Sequence, residues 1–413
     1  MRYYMWMADQ NGDAPGRELN SADPAMSTSR VLERDVPLSQ SLIWRLQQNF
    51  YAQRGIKAWT EDMVPSYITN NPLIAEMYAE IVAAYLAECV ELAQKQKQPL
   101  SPENPLRVLE LGAGTGKFSC LFLRKIRILL QDKKLPAKII RYCMTDCSES
   151  LVAGWRANRY LAEFVDAGIL EFQLVRAEDE QPEQQVKSPL VVIANYVFDS
   201  LPQDAFIITD GQISEALVTT TTNEAESSFS PPALASLQLS FRNVPVSSTR
   251  YPDKSWNAIL EHYRGSLGTA TVLFPSAALN LLQQLSKSSN GRMLVLAADK
   301  GFTREDTLVF SQGPPSLEFH GGNHCFSQKV NLDAMARYFW KSGGEAFLPQ
   351  KYFSILNICA FLAHGPGEEF PATRKAYQDA LAGFGPDDLF ALMSWLNAHL
   401  EEISVAQALA LLR

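Results

Sequence analysis

VLELGAGTGKFS, residues 108 to 119, passes from a short apolar run through three glycines into a helical pattern whose inner side carries Phe118, Leu121, Phe122, Ile126, Leu129 and Leu130. A glycine turn leaving a strand puts bare backbone at the strand's carboxyl end, where a ligand can approach closely. The spacing decides which ligand. A dinucleotide loop needs G-x-G-x-x-G, and the place of its third glycine is taken by Lys117. A Walker loop needs Ser or Thr after Gly-Lys, and Phe118 stands there instead. What remains is acid-x-G-x-G-x-G: Glu110, Gly112, Gly114 and Gly116, with Ala113 inside the turn. A carboxylate at Glu110 favours a cationic ligand and repels a pyrophosphate. S-adenosyl-L-methionine, with a sulfonium, an ammonium and no phosphate, meets that preference.

Downstream, short apolar runs alternate with helical patterns. Strands are expected at Arg107–Leu111, Ile139–Thr145, Leu170–Arg176, Leu190–Asn195 and Met293–Ala297. That alternation predicts a Rossmann-like, doubly wound, mostly parallel α/β sheet. At the end of the second strand stands Asp146, whose two acceptor oxygens match a ribose diol, followed by Cys147 and Ser148. After the third strand Glu178 or Asp179 is available for an adenine amino group. A glycine triplet alone is often a plain turn and a lone strand-end Asp a cap, but in register on one sheet they describe a cofactor site.

The fourth strand ends in Asn195 and Tyr196, with Asp199 close behind, and Asp299 ends the fifth. These groups are expected beside a reacting methyl, where an enzyme chiefly orients the nucleophile and sometimes removes a proton. Asp199 and Asp299 each read equally well as a proton acceptor, or holder of a cationic amine or guanidinium, and as a helix cap. In FHGGNHCF, residues 319 to 326, Gly321-Gly322 breaks any helical spacing between His320 and His324. A hydrogen-bonded loop is the first expectation there, a substrate or catalytic role for His320 or His324 the second, and no metal site is expected.

Around this core the organisation follows composition. Residues 1–37, rich in Asp, Asn, Gly, Pro and Ser, read as a flexible tail, and 38–100 as an N-terminal helical cap. Ile74, Met77, Tyr78, Ile81, Val82, Tyr85 and Leu86 form an apolar stripe in that cap, with Asn70 or Asn71 before Pro72 as its helix start. Trp44, Phe50, Tyr51 and Trp59 are expected to staple the cap to the sheet, with walling a substrate pocket as the alternative. Residues 101–363 form the cofactor domain, interrupted by an excursion at 201–291 read as a lid or substrate arm. That excursion opens with a hairpin around Asp210-Gly211 and carries a polar loop over Thr219 to Ser230. Residues 364–413 read as a C-terminal helical appendage.

The chain has 413 residues, 46% hydrophobic and 20% charged, with a net charge of -8. An acidic balance disfavours nucleic acid as the main partner. No apolar run is long enough to span a bilayer, and the N-terminus shows no secretory pattern. Six scattered cysteines form no CxxC pair, which points to reduced thiols and a cytoplasmic protein.

On VLELGAGTGKFS (108–119), TDCSESL (145–151), ANYVFDSLPQDAF (194–206), LAADKGF (296–302) and VNLDAMARYF (330–339), the chain resembles class I methyltransferases, and more narrowly the MidA-like family that includes mitochondrial complex I assembly arginine methyltransferases. Tyr67-Ile68-Thr69 resembles that family's N-terminal entry segment, which implies that Tyr67 and Thr69 lie over the cofactor. The resemblance implies methyl transfer from S-adenosyl-L-methionine to a protein side chain or small amine or guanidine. Two positions depart from the family pattern. Its Asn-Glu pair becomes Asn195-Tyr196, and its Asp-Tyr-Gly becomes Asp299-Lys300-Gly301. O-methylation and a non-catalytic scaffold that keeps the fold are therefore the rival readings, with a nicotinamide oxidoreductase disfavoured by the glycine spacing.

Overall fold

The computed structural model describes residues 29–383 except 61–67, 176–187, 225–232, 248, 310, 321, 323 and 351–355, and beyond them 388, 392, 395, 398, 399 and 404. Tyr67 and Glu178 lie outside the described residues, as do residues 1–28 of the expected tail.

In chain order the elements are β1 (Arg30–Pro37), α1 (Leu42–Arg54), α2 (Lys57–Thr60), α3 (Pro72–Lys95), β2 (Leu106–Leu111), α4 (Lys117–Asp132), β3 (Ile140–Asp146), α5 (Glu149–Arg156), α6 (Arg159–Asp166), β4 (Leu170–Leu174) and β5 (Leu190–Asn195). There follow β6 (Asp204–Thr209), β7 (Gln212–Thr222), β8 (Leu237–Pro245), α7 (Lys254–Ser266), β9 (Thr269–Phe274), α8 (Ser276–Ser288) and β10 (Met293–Asp299). The last are β11 (Gly301–Phe302), α9 (Glu305–Leu308), β12 (Glu318–His320), β13 (Cys325–Ser327), β14 (Val330–Asn331), α10 (Leu332–Lys341), β15 (Glu345–Phe347), β16 (Asn357–Ala363) and α11 (Pro371–Ala382).

Among the described residues, seven strands make the central sheet in the order β15-β16-β10-β5-β2-β3-β4. β10, β5, β2, β3 and β4 run parallel, while β16 and β15 pair antiparallel at one side. This is the Rossmann-like α/β class that the strand pattern predicts. Val191 to Ala194 and Met293 to Ala298 are wholly buried, because helices cover both faces of a parallel sheet. One face packs Val108, Tyr142, Met144, Ile193 and Leu296 against α3, α4, α5 and α6. The other packs Val192, Ala194, Val295, Ala297 and Phe361 against α7, α8 and α10. From β2 the chain winds outward to β3 and β4, then returns to β5 and winds the other way. Such a reversal leaves a crevice beyond the carboxyl ends of β2 and β5, where open α/β sheets bind ligands.

α3 begins where the sequence suggests. Asn71 Oδ1 accepts from Ile74 N at 3.1 Å and Pro72 fills the first turn, satisfying an end that a helix otherwise leaves open. At the other end of the chain, Glu88 of α3 accepts from the backbone N–H groups of Ala372 (2.7 Å) and Thr373 (3.0 Å), tying α11 to the same layer.

A second sheet, antiparallel, is built from β1, β7, β6 and β9, with β8 along the other edge of β7. Its β6–β7 hairpin turns at Asp210 (φ 48°) and Gly211 (φ 73°), the two positive values that a tight hairpin turn needs. Two expectations fail here. The tail ends before residue 37: Arg30–Pro37 is strand, pairing antiparallel with β7 from Arg30↔Thr222 to Pro37↔Leu217. The polar loop starts later than Thr219, since β7 runs through Thr222 with Thr220 and Thr222 buried. A strand pairing with a partner more than 180 residues away leaves no local period to read. α1 packs on this second sheet: Ile43 and Trp44 lie with Ala205, Ala216, Val218 and Phe326. The region read as one helical cap thus divides, α1 serving the arm and α3 the central sheet.

Candidate functional site

Three left-handed glycines shape the turn after β2: Gly112 (φ 60°), Gly114 (φ 52°) and Gly116 (φ 74°). Side chains would be refused twice over, by conformation and by space. A Cβ at Gly116 would stand 2.9 Å from Met144 Cε, and one at Gly112 3.3 Å from Val197 Cγ2. The turn is pinned from β3 and α5. Ala113 N donates to Thr145 O (2.9 Å), Thr145 Oγ1 donates to Glu110 O (2.8 Å), and Trp155 Nε1 donates to Gly114 O (2.8 Å).

Asp146 lies against this turn. Its Oδ2 accepts from Gly114 N at 3.1 Å and its Oδ1 from Ser148 N at 3.2 Å. Burial raises its pKa above the ordinary value, while the N–H groups of Gly114, Ser148 and Cys147 work in the opposite direction. Each carboxylate oxygen keeps a lone pair, and the backbone beside it carries no side chain. That pairing of bare amide and carboxylate at the reversal of the strand order fits a nucleoside whose diol needs an acceptor. Cys147 is half-buried, its thiol pushed up to about 12 by burial and by Asp146. Ser148 is fully buried, with its hydroxyl 2.9 Å from Ser150 Oγ. Gly55, which ends α1, packs on these two serines, so the helix of the arm also closes over this corner. Thr69 is buried just ahead of α3.

Glu110 departs from its expected use. Its carboxylate is 4% exposed and its Oε2 accepts from both Ser119 Oγ (2.5 Å) and Tyr142 OH (2.8 Å). It therefore braces β2 against α4 and β3 instead of offering an open charge to a ligand. Burial lifts its pKa to about 7, over the opposing effect of the two hydroxyl donors.

At the ends of β5 and β10 the second group of residues converges. Asn195 Oδ1 accepts from Tyr78 OH (2.9 Å), which fixes the amide from the α3 side. Tyr196 adopts φ 53°, a left-handed conformation that a bulky side chain rarely takes, and its N–H donates to Ala298 O (2.8 Å). A tight 3-10 turn, Phe198–Ser200, follows and carries Asp199. Asp299 is wholly buried; its Oδ2 accepts from Phe198 N (3.0 Å) and so holds that turn. Asp299 is pushed well above the ordinary carboxyl range by burial first and by the charge of Asp199 second. Asp199, also buried, is lifted to about 6 by burial, with Lys300 and Ser200 pulling the other way.

His320 and Ser327 face each other across the β12–β13 hairpin, Nε2 to Oγ 2.8 Å. Burial and Lys300 hold the imidazole down to about 4, so it is neutral at pH 7. His324 stacks parallel to Phe50 of α1 at 6.4 Å. Among the described residues no three His, Cys, Asp or Glu side chains cluster as metal ligands do, and no helix is long and apolar enough to cross a membrane.

Two residues of this site carry little signal in the sequence. Tyr51 of α1, expected to staple the cap to the sheet or to wall a substrate pocket, reaches hydrogen-bonding contact with Ser200 and Cys325. Ser200 Oγ in turn donates to Asp199 Oδ1 at 3.0 Å.

The family described as "Putative S-adenosyl-L-methionine-dependent methyltransferase" matches residues 81–320, more than half of the 413. The chain belongs to this family. The methyltransferase uses S-adenosyl-L-methionine and acts on a methyl acceptor. No curated protein matches it. Among solved structures, a Burkholderia thailandensis protein bound to S-adenosyl-homocysteine is similar at 16% identity, over 79% of this chain and 87% of that one, with a TM-score of 0.49. A second protein from the same organism matches at 15% identity over the same shares, with a TM-score of 0.47. The plantazolicin methyltransferase matches at 11% identity over 78% of this chain and 98% of that one, with a TM-score of 0.32.

Proposed function

We propose that this methyltransferase transfers its methyl group to nitrogen, on a protein side chain or a small amine or guanidine, and that it stands with the MidA-like enzymes. The observation that supports this most is the buried pair Asp199, on the turn after β5, and Asp299, at the end of the neighbouring β10. A buried acidic edge attracts a cationic nitrogen and can take up the proton that nitrogen loses on methylation.

When bound, S-adenosyl-L-methionine supplies an electrophilic methyl on a sulfonium. Gly112, Ala113, Gly114 and Gly116 offer backbone to it, and Asp146, followed by Cys147 and Ser148, offers the carboxylate for its ribose. Thr69 and, outside the described residues, Tyr67 and Glu178 complete the proposed cofactor set. Asn195, fixed by Tyr78, and Tyr196 form the floor next to the acceptor, with Asp199, Asp299 and neutral His320 around it. All six cysteines are free thiols, which suits a reducing, cytoplasmic setting.

Full-length protein incubated with methyl-labelled S-adenosylmethionine and a cell extract tests the reading. Label should appear on nitrogen, stable to mild base; label lost as methanol on base treatment would identify an ester and overturn it. A scaffold reading rests on Tyr196, which stands where the family pattern has Glu. It predicts calorimetric binding of the cofactor with no label transferred.

A further inference from the structure

The arm and the sheet meet at Asp199. From the sheet side comes the turn Phe198–Ser200, held by Asp299 Oδ2 on Phe198 N. From the arm side comes Tyr51, one turn before the end of α1, with its hydroxyl in contact with Ser200 and Cys325. Ser200 Oγ donates to Asp199 Oδ1 at 3.0 Å, so hydroxyls lead without a break from α1 to the carboxylate. The hairpin closes a third side, Gln328 N donating to Asp199 O at 2.9 Å. Asp299 Oδ1 is buried and, among the described residues, has no hydrogen-bond partner.

We propose that Asp199 takes up the proton that the methyl acceptor loses, and that Tyr51, delivered by α1, positions Asp199 through Ser200. The proposal rests on the methyltransferase reading and extends it to a base and its positioning residue. As the bond from nitrogen to methyl carbon forms and that carbon's bond to sulfur breaks, the N–H electron pair stays on nitrogen. Its proton passes to Asp199, leaving methylated acceptor, S-adenosylhomocysteine and a neutral carboxyl.

Two buried carboxyls within electrostatic reach cannot both ionise easily, and their surroundings separate them. Asp299 faces Tyr78 of α3 and Cys359 of β16, neither of them cationic, and burial and the charge of Asp199 push it well up, against the N–H groups of Phe198, Asp199 and Val197. Asp199 faces Lys300 beyond β10, Glu318 beside it, and the Tyr51 and Cys325 hydroxyl and thiol. Lys300 Nζ donates to Glu318 Oε2 at 3.1 Å, and His320 on the same hairpin is neutral at pH 7. Asp199 is thus the member that is charged near neutrality yet still a competent base, the condition under which proton transfer is most effective.

Carboxyl carbon resonances of aspartate-labelled full-length protein read this directly. One resonance should titrate near about 6 and vanish in Asp199→Asn. Tyr51→Phe and Ser200→Ala should each move that titration upward, since both remove support for the charged form. Calorimetric affinity for S-adenosylmethionine should stay within about twofold in all three variants, while labelling of the extract falls roughly 100-fold in Asp199→Asn, the usual size of a lost base. Asp199→Glu should recover part of it. An Asp199 titration in the ordinary range near about 4, or one untouched by Tyr51→Phe, overturns the proposal. Failure of the wild-type protein to bind S-adenosylmethionine overturns the methyltransferase reading instead, which keeps the two distinguishable.

Discussion

The two halves of the crevice are built differently. On the β2–β3 side, the hydrogen bonds that pin the glycine turn come from residues 110 to 155, within one strand–helix–strand unit and the helix after it, while Val197 packs against Gly112 from farther along the chain. On the β5–β10 side, the edge proposed for the acceptor draws on α1, α3, the 3-10 turn, the end of β10 and the β12–β13 hairpin, from residue 51 to residue 328. A nucleoside presents the same diol and base to every enzyme that binds it, so one local unit suffices. An acceptor is particular to the enzyme, and here its edge is assembled from parts that only the finished fold brings together.

That contrast can be broken at its local side first. Gly114→Val places a β-branched side chain at φ 52°, and affinity for S-adenosylmethionine should fall by more than about 100-fold by calorimetry, with circular dichroism native. Unchanged affinity would remove the turn from the cofactor site. The non-local side is tested by Trp44→Ala. Trp44 packs on Phe326 at 5.0 Å and donates Nε1 to Leu38 O (2.8 Å), so its loss should destabilise the docking of α1 by about 3–5 kcal/mol. Urea unfolding should then show the arm melting ahead of the sheet. Equal loss of both in one transition would show that the halves are not separable.

Glu110 sharpens the comparison through pH. Its folded pKa of about 7 lies above the ordinary 4.5, so its contribution to stability is fully present below 4.5 and is lost as pH rises through about 7. Integrated over that interval the loss is at most about 3 kcal/mol. Glu110→Gln does not titrate, so it should gain on the wild type between pH 5 and pH 8 in urea midpoint, and a gap that stays constant with pH would contradict the buried, protonated carboxyl. The smallest effect belongs to Asn71→Ala, which removes the cap of α3 and should cost about 1 kcal/mol in thermal unfolding. Cofactor affinity should barely change with it.

The glycine turn was legible because its demands are local: acid, spacing and strand-end carboxylate fall within 37 residues, from Glu110 to Asp146. Asp199 and Asp299 were legible as candidates because Asp299 ends a recognisable apolar strand and Asp199 closely follows another. What surrounds each of them was not, since that depends on which remote segments bury it. Glu110 misled for the same reason: its position on the strand is readable, but the hydroxyls of Ser119 and Tyr142 that claim its carboxylate are set by packing. β1 and the second sheet went unread from Arg30 to Pro37, where no alternation marks the strand and its partner is β7.

By itself the amino-acid order determined the alternating strand–helix core, the cofactor turn and the carboxylate set beside it, because period, glycine conformation and short-range hydrogen bonding act over a few residues. Only the tertiary structure decided that Tyr51 from α1 meets Ser200, that Asp299 holds the turn carrying Asp199, and how deeply each of these carboxyls is buried. Those outcomes follow from burial and distance between remote segments, quantities that exist once the chain has closed on itself.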